Sequence, residues 1–385
     1  MGETTDTAKI DINAIPYDAP LSIEEPSSSW ANAQFRRGAN STRTSVPNVD
    51  LSGKWVIISG ANNGIGREAA IQFAKWGANI VLACRDPPPK EIHPKVVVEE
   101  CLNAARKAGR TDTEIEWWEL DCSKLSSVEA FAKRWLDADK PLDILCNNAG
   151  IGSSPGGSAI FKTQDGFEII HQVNFLSHVL LTLHLLSSLA KAPTPRIVCT
   201  TSCAHYLGRF DLRNFNGELG KGGSEGEAFY QNNKLWFQIW LTELQRRMLL
   251  TKEYKHITVN GVHPGCVNSG IWNLNNNVSW MTPIRTATLK AFVYFLGIDS
   301  QQGSLAILHA ATSVVAGPDP KVQGVGTEDG RGGGRYFNRI WEETPMPHTK
   351  DPDCRQRVWR KVNDELKLQD RGLLDILDLK YVDGR

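Results

Sequence analysis

Apolar positions in this chain follow two alternating rhythms. Short continuous runs occupy residues 55–58, 79–83, 115–120, 142–146, 196–200 and 257–262. Between them lie longer stretches, at 65–76, 96–108, 126–136, 167–189 and 227–250, whose apolar residues recur every three or four positions. The short runs have the length of strands, and the long stretches have the period of helices. Strand and helix in alternation predict a parallel sheet with helices on both faces. Right-handed crossovers then give a single α/β, doubly wound parallel-sheet domain of the Rossmann type. Ligands in such sheets bind at the carboxyl ends of the strands.

Outside that body the pattern loosens. Residues 1–47 are rich in Ser, Thr, Asn, Pro and acids, and predict a flexible arm, mostly disordered or loosely draped. The catalytic body is expected at 48–317 and a C-terminal extension at 318–385. A helix at 302–312 should precede the last strand, and residues 324–334 are glycine-rich. In the extension, Val358, Val362 and Leu366 have helical spacing, which predicts a surface tail helix packed by its apolar stripe. Trp272, Trp280, Phe292, Tyr294 and Phe295 are expected either to wall and lid an apolar pocket or simply to pack. The helix at 227–250 is apolar almost all round, through Leu235, Trp236, Phe237, Ile239, Trp240, Leu241 and Leu244. One of its faces must serve the core. The other is assigned to a second copy of the chain, with lipid as the alternative.

Candidate chemistry falls where the topology expects ligands. The turn S-G-A-N-N-G-I-G, Ser59 to Gly66, links the first strand to the first helix. Gly60, Gly64 and Gly66 let the backbone approach a pyrophosphate, which the helix N-terminus attracts. Asn62, Asn63 and Ile65 complete that candidate surface. The second strand ends in Cys84-Arg85-Asp86. NAD enzymes place an acid there against the ribose hydroxyls. Cys84 aligns with that acid, and Arg85 follows it, ready to pair with a 2′-phosphate. NADP(H) is therefore the expected cofactor. NAD(H) is the alternative, because a shift of one residue makes Asp86 the ribose acid. Asp121, at the end of the third strand, is expected to meet the adenine edge or to cap the next helix.

Tyr230 and Lys234 lie a turn apart on one face of a helix. Ser202 stands just past the fifth strand. A free tyrosine has a pKa near ~10, so ionisation near ~7 requires roughly 4 kcal/mol of preference for phenolate. The Lys234 ammonium and an oxidised nicotinamide can supply that in a partly dry cleft. Ser202 would hydrogen-bond the substrate oxygen as charge develops there. Without the glycine turn, Tyr230 would read as a core aromatic and Lys234 as a surface charge.

Composition narrows the classes further. The chain has 385 residues, zero formal net charge and no basic block, which argues against nucleic acid as a partner. Its eight cysteines form no C-x-x-C pair and read as buried thiols of a reducing compartment. His171, His178 and His184 do not present three nitrogens on one face, so no metal site is expected. The polar, acidic start lacks an export signal, and the residues after Gly2 fail the myristoylation pattern. No run of ~20 apolar residues predicts a transmembrane segment. A cytoplasmic protein is expected, with peripheral lipid-droplet or membrane association left open.

These residues together resemble the short-chain dehydrogenase/reductases of the Y-x-x-x-K type. The resemblance covers about residues 50–316. It rests on the glycine turn, N-N-A-G at Asn147 to Gly150, Asn174 in V-N-F-L-S-H, Ser202, Tyr230 with Lys234, and H-P-G-C-V-N-S at His263 to Ser269. The Ala204-His205 pair after the serine and the A-C-R-D run are similar to the retinol-dehydrogenase-like and WW-domain-oxidoreductase-like subgroup. G-R-Y-F-N-R-I-W is similar to fungal members with extended tails. The resemblance implies that Tyr230 is the acid/base, that Lys234 lowers its pKa and binds the nicotinamide ribose, and that Ser202 orients the reacting group. Thr200 and Thr201 offer competing hydroxyls, and the spacing to Ala204-His205 selects Ser202. It implies that Asn174 holds a water linking Lys234 to solvent, and that Asn147, Ala149 and Gly150 support the cofactor. Pro264, Gly265, Val267 and Ser269 would lie near the nicotinamide carboxamide.

The expected function is NADP(H)-dependent interconversion of a ketone or aldehyde and its alcohol. The substrate would be small and apolar: retinoid-like, lipid, steroid-like or a secondary metabolite. A cofactor-binding scaffold or redox sensor with little turnover is the alternative.

Overall fold

The computed structural model describes residues 16–89, 91–152, 160–219, 224–268, 297–317, 334–374 and 377. The strands are β1 (Trp55–Ser59), β2 (Asn79–Cys84), β3 (Ile115–Glu119), β4 (Ile144–Asn147), β5 (Arg196–Thr200), β6 (Thr258–His263), β7 (Arg335–Asn338) and β8 (Trp341–Glu343). They form one sheet in the order β3-β2-β1-β4-β5-β6-β7-β8. Every pairing is parallel except β7 with β8. The order reverses between β1 and β4, and the crevice there is where a doubly wound sheet receives a ligand.

The helices are α1 (Ser28–Arg37), α2 (Gly64–Lys75), α3 (Pro94–Lys107), α4 (Leu125–Asp137), α5 (Ile169–Ala190), α6 (Ser224–Leu250), α7 (Ser300–Thr312) and α8 (Pro352–Leu366). Two apolar clusters sandwich the sheet. One gathers α2, α3 and α7 through residues such as Phe73, Val97 and Leu308. The other gathers α4, α5, α6 and α8 through Trp135, Leu186, Trp240 and Val358. The central strands β1 and β2 are buried along their whole length, which explains their unbroken apolar runs.

Three features depart from the sequence expectations. Residues 16–47, expected to be a loose arm, carry α1 and are pinned to the body. His263 Nε2 donates to Gly38 O at 3.0 Å, Asn338 Nδ2 donates to Arg37 O at 3.0 Å, and the Trp30 and Tyr206 rings meet edge-on at 5.8 Å. The polar composition of the arm hid these anchors, because backbone carbonyls and one tryptophan do most of the holding. The second face of α6, assigned to a partner copy, is covered within the chain. Leu235, Trp236, Phe237, Ile239, Trp240, Leu241 and Leu244 are all fully buried, and Trp359 of α8 stacks on Trp240 at 6.0 Å. The apolar surplus of α6 is thus accounted for by the tail helix, which removes the basis for a dimer interface there. Finally, α5 is long and apolar enough to cross a membrane by length and composition, yet 83% of its apolar window is buried inside the fold. It is a core helix, buried on most sides.

The glycine-rich stretch up to Gly333 in part, the lid aromatics between 271 and 295, and Ser269 lie outside the described residues.

Candidate active site

The carboxyl end of β1 turns sharply into α2. Gly60 and Gly64 have φ of 67° and 56°, a region that L side chains avoid. At Gly60 a Cβ would come within 2.8 Å of Ala149 Cα, so the turn rests directly on the loop after β4. Around Gly64 the space is open within 4 Å. Asn63 caps α2 by accepting the Gly64 N–H at 2.8 Å, and Asn62 donates to Ile92 O at 3.1 Å. Ile65 packs against α7 under the turn, where a Cβ on Gly303 would meet its Cγ2 at 2.8 Å. An open, amide-lined helix start of this kind fits the pyrophosphate of a dinucleotide.

Asn147 and Asn148 divide the work of the N-N-A-G segment. The Asn147 side chain, expected at the cofactor, is fully buried and donates to Thr182 Oγ1 of α5 at 2.8 Å. It points into the helix layer because it closes β4, whose residues alternate between the sheet's two faces. Asn148 takes the position by the glycine turn. Its Nδ2 donates to Ser59 O at 2.9 Å, and its backbone N–H and that of Ala149 donate to Ser59 Oγ at 2.9 and 3.0 Å. Gly150 faces Asn174, whose Oδ1 would stand 3.2 Å from an added Cβ.

Asn174 sits in a π-helical turn, Gln172–Leu176, inside α5. Such turns are rare and recur at functional sites. Its amide is engaged both ways with one residue, accepting from Ile151 N and donating to Ile151 O at 2.8 Å each. The side chain therefore braces the loop after β4, where the sequence expectation had it holding a water for Lys234.

Ser202, Tyr230 and Lys234 converge at the end of β5. Thr200 Oγ1 is directed to Asn148 Oδ1 and Thr201 Oγ1 to Val262 O, both at 3.3 Å, which leaves Ser202 as the hydroxyl beside the phenol. Burial pushes the Tyr230 phenol up to about 12, and its hydrogen bond with Ser202 opposes that rise. Lys234 is buried. Its Nζ donates to Thr200 O at 2.8 Å and stands 5.7 Å from the Tyr230 ring centre. Desolvation brings its ammonium down to about 8, so at neutral pH it stays largely charged. Ser202 also starts a short 3-10 turn, Cys203–Leu207, where His205 Nδ1 donates to Ser202 O at 2.6 Å. His205 Nε2 accepts from Met346 N at 3.2 Å, so the C-terminal extension supports the serine from behind.

At the adenosine end, Cys84 is buried beneath the turn, with its Sγ 3.2 Å from Ala61 N. Arg85 is half-exposed, and its Nη2 pairs with Glu91 Oε1 at 2.7 Å. Glu91 lies in a proline-rich insertion that begins at Pro87-Pro88-Pro89, and nothing in the local pattern announced that pairing. Asp121 accepts from Ser123 N and Oγ and pairs with Lys124 at 3.1 Å. Burial works against its ionisation, but these partners hold the carboxyl below its usual range. It does not cap α4: the Leu125 N–H is taken by Asp165 Oδ2 at 2.8 Å. On the nicotinamide side, Gly265 has φ of 90° after Pro264, and Val267 is buried beside Ile298 in a parallel bridge.

Known proteins similar to this chain show its family. The short chain dehydrogenase family model matches residues 54–213. Retinol dehydrogenase 13 of Mus musculus is 30% identical over 84% of this chain and 85% of its own length. Retinol dehydrogenase 11 of Homo sapiens is 36% identical over 68% of this chain and 74% of its own. The chain belongs to the short chain dehydrogenase family. A crystal structure of an uncharacterized protein from Mycobacterium Paratuberculosis superimposes with a TM-score of 0.58 and 25% identity, covering 85% of this chain and 98% of that one. As a short chain dehydrogenase with retinol dehydrogenases among its relatives, the protein is an oxidoreductase of alcohol and carbonyl groups that uses a nicotinamide dinucleotide.

Three buried histidines around the site set an acid limit on stability. Burial brings His178 down to about 4, His205 to about 3 and His263 to about 4. Their folded-state values are depressed, so the unfolded chain takes up protons first. Their contribution is complete above ~6.5 and is lost as pH falls toward the folded values. At pH ~5 each should cost ~2 kcal/mol. Urea titrations at neutral pH and at pH ~5 measure this, and an unchanged midpoint contradicts it.

Proposed function

We propose that this short chain dehydrogenase is NADP(H)-dependent and reduces an apolar ketone or aldehyde to its alcohol. The observation that carries the reading is the meeting of the Ser202 hydroxyl, the Tyr230 phenol and the Lys234 ammonium at the end of β5, beside the glycine turn.

The bound dihydronicotinamide would supply a hydride to the carbonyl carbon. The chain's own residues do the rest. Ser202 donates to the carbonyl oxygen and fixes its distance from the phenol. Tyr230, neutral at physiological pH, holds the proton that the developing alkoxide takes up. Lys234 makes loss of that proton easier. Moving a phenol from about 12 to ~7 takes ~7 kcal/mol, more than the roughly 4 kcal/mol needed from a free tyrosine. At an effective dielectric of ~20, a cation about 6 Å away gives ~3 kcal/mol. The remainder falls to the positive charge of the oxidised cofactor, since the value of about 12 already includes the Ser202 hydrogen bond. Asn174 braces the loop at Ile151, with its amide committed in both directions.

Arg85 is the group that favours NADP(H). Cys84 supplies no carboxylate where an NAD site would have one, and the Arg85–Glu91 pair is solvent-exposed, of the kind worth only ~0–1 kcal/mol. A 2′-phosphate offers a doubly charged, bidentate partner and can displace Glu91. In this reading Asp121 would receive the adenine edge, and Pro264, Gly265 and Val267 would border the carboxamide. The retinol dehydrogenases among the relatives support a retinoid-like or other lipid-like carbonyl as substrate.

Tyr230→Phe should lower kcat for retinal reduction by ~10²-fold or more while leaving the NADPH dissociation constant nearly unchanged. Wild-type-like turnover in that variant contradicts the assignment. Failure of the wild type on a broad carbonyl panel, with tight NADPH binding, would instead favour a cofactor-binding scaffold. Arg85→Ala should weaken NADPH by ~10-fold or more and NADH by less than ~2-fold. Equal losses for both cofactors, read by quenching of tryptophan fluorescence, contradict the NADP(H) reading.

A further inference from the structure

The helix turn that carries Tyr230 and Lys234 is held by a buried polar chain that starts in the C-terminal extension. His171, in α5 immediately before the π turn, is fully buried. Its ring sits among Phe175, Phe215, Phe229 and Trp236, with centroid distances of 5.7, 4.7, 6.3 and 5.8 Å, all edge-on. Both ring nitrogens nevertheless have partners. Nδ1 stands 3.1 Å from Asn233 Nδ2, and Nε2 stands 2.8 Å from Glu365 Oε2 of α8. An amide nitrogen can only donate, so Nδ1 accepts. The proton of the neutral ring is then on Nε2 and is donated to the carboxylate.

The partners explain why such a chain matters. Asn233 is fully buried and precedes Lys234 directly, three residues after Tyr230. His171 precedes the π turn that contains Asn174. One imidazole therefore joins three pieces: the turn bearing the phenol and the ammonium, the helix bearing Asn174, and the tail helix. Polar groups buried in an aromatic cluster are costly unless matched; both His171 nitrogens and Asn233 Nδ2 are matched here, while Asn233 Oδ1 has no partner among the described residues. Glu365 makes the match. Its carboxylate selects the tautomer that leaves Nδ1 free to accept from Asn233. Among the described residues Glu168 is a second carboxylate bonded to His171: it caps the start of α5 and accepts the His171 backbone N–H at 2.9 Å.

We propose that His171 is a positioning residue for the reaction: with its tautomer set by Glu365, it fixes through Asn233 the helix turn that presents Tyr230 and Lys234. The proposal rests on the roles given to those two residues above. Through it, α8 becomes part of the active-site framework as well as a cover for α6.

The test compares Glu365→Ala, Glu365→Gln and His171→Phe with wild type. Glutamine keeps an acceptor for Nε2–H, and phenylalanine keeps the ring volume while removing both bonds. For each, kcat with retinal, the NADPH dissociation constant and the thermal midpoint are measured. In the NADP⁺ complex, the Tyr230 titration midpoint is read from an isotope-labelled ring carbon. Glu365→Ala and His171→Phe should lower kcat by ~10-fold or more with NADPH affinity within ~2-fold, and Glu365→Gln should recover most of kcat. The phenol midpoint in the first two should rise relative to wild type. The proposal is overturned if both keep wild-type kcat and phenol midpoint however their thermal midpoints move. It is equally overturned if NADPH affinity falls in step with kcat, or if Glu365→Gln is as slow as Glu365→Ala. If those variants do not fold, Asn233→Leu breaks the same chain from its other end and must show the same split. A Tyr230→Phe control that retains activity would show instead that the underlying role of the phenol is wrong. If retinal is not turned over, the midpoint comparison alone decides.

Discussion

The phenol proposed as proton donor lies where burial opposes its ionisation. Tyr230 is pushed up to about 12 by desolvation, and the ammonium next to it is brought down to about 8 by the same cause. Neither group is poised by itself. The dry pocket that penalises both charges also strengthens any charge brought in to compensate them, because Coulomb energies grow as the dielectric falls. A cationic oxidised nicotinamide is such a charge. On this view the free enzyme keeps its proton, and the acid becomes labile only when a cofactor completes the cleft.

That arrangement is useful only if the groups cannot drift. Lys234 is tied to Thr200 O, Ser202 is held from behind by His205, and the α6 turn is gripped through Asn233 by His171. Two of these ties end in the C-terminal extension, at Met346 and Glu365. The N-terminal arm adds its own, through Gly38 to His263 next to Pro264. Segments that a minimal α/β domain would not need are thus recruited to stiffen the site, with buried histidines as the couplers.

The body of the fold was legible because its signals are local. Apolar runs and helical spacing located the strands and helices, and the glycines of the first turn announced where the chain must adopt positive φ. The convergence of Tyr230, Lys234 and Ser202 was legible for the same reason, since each falls at a strand end or on one helix face. What the sequence hid depends on distant partners. The Arg85–Glu91 pair crosses a proline-rich insertion. The antiparallel β8 strand is only three residues long. Which asparagine of Asn147 and Asn148 faces the glycine turn depends on where β4 stops alternating. The burial of α6 by Trp359 could not be told from a dimer face, because an apolar stripe does not name its partner.

The most direct test is to titrate Tyr230, with its ring carbon isotope-labelled and assigned by the Tyr230→Phe difference, in the free protein and in its NADP⁺ complex. The free phenol should titrate well above neutrality, and NADP⁺ should lower it by several units. A phenol that already titrates near neutrality without cofactor, or one that NADP⁺ leaves unmoved, would contradict the idea that the cofactor's charge releases the proton.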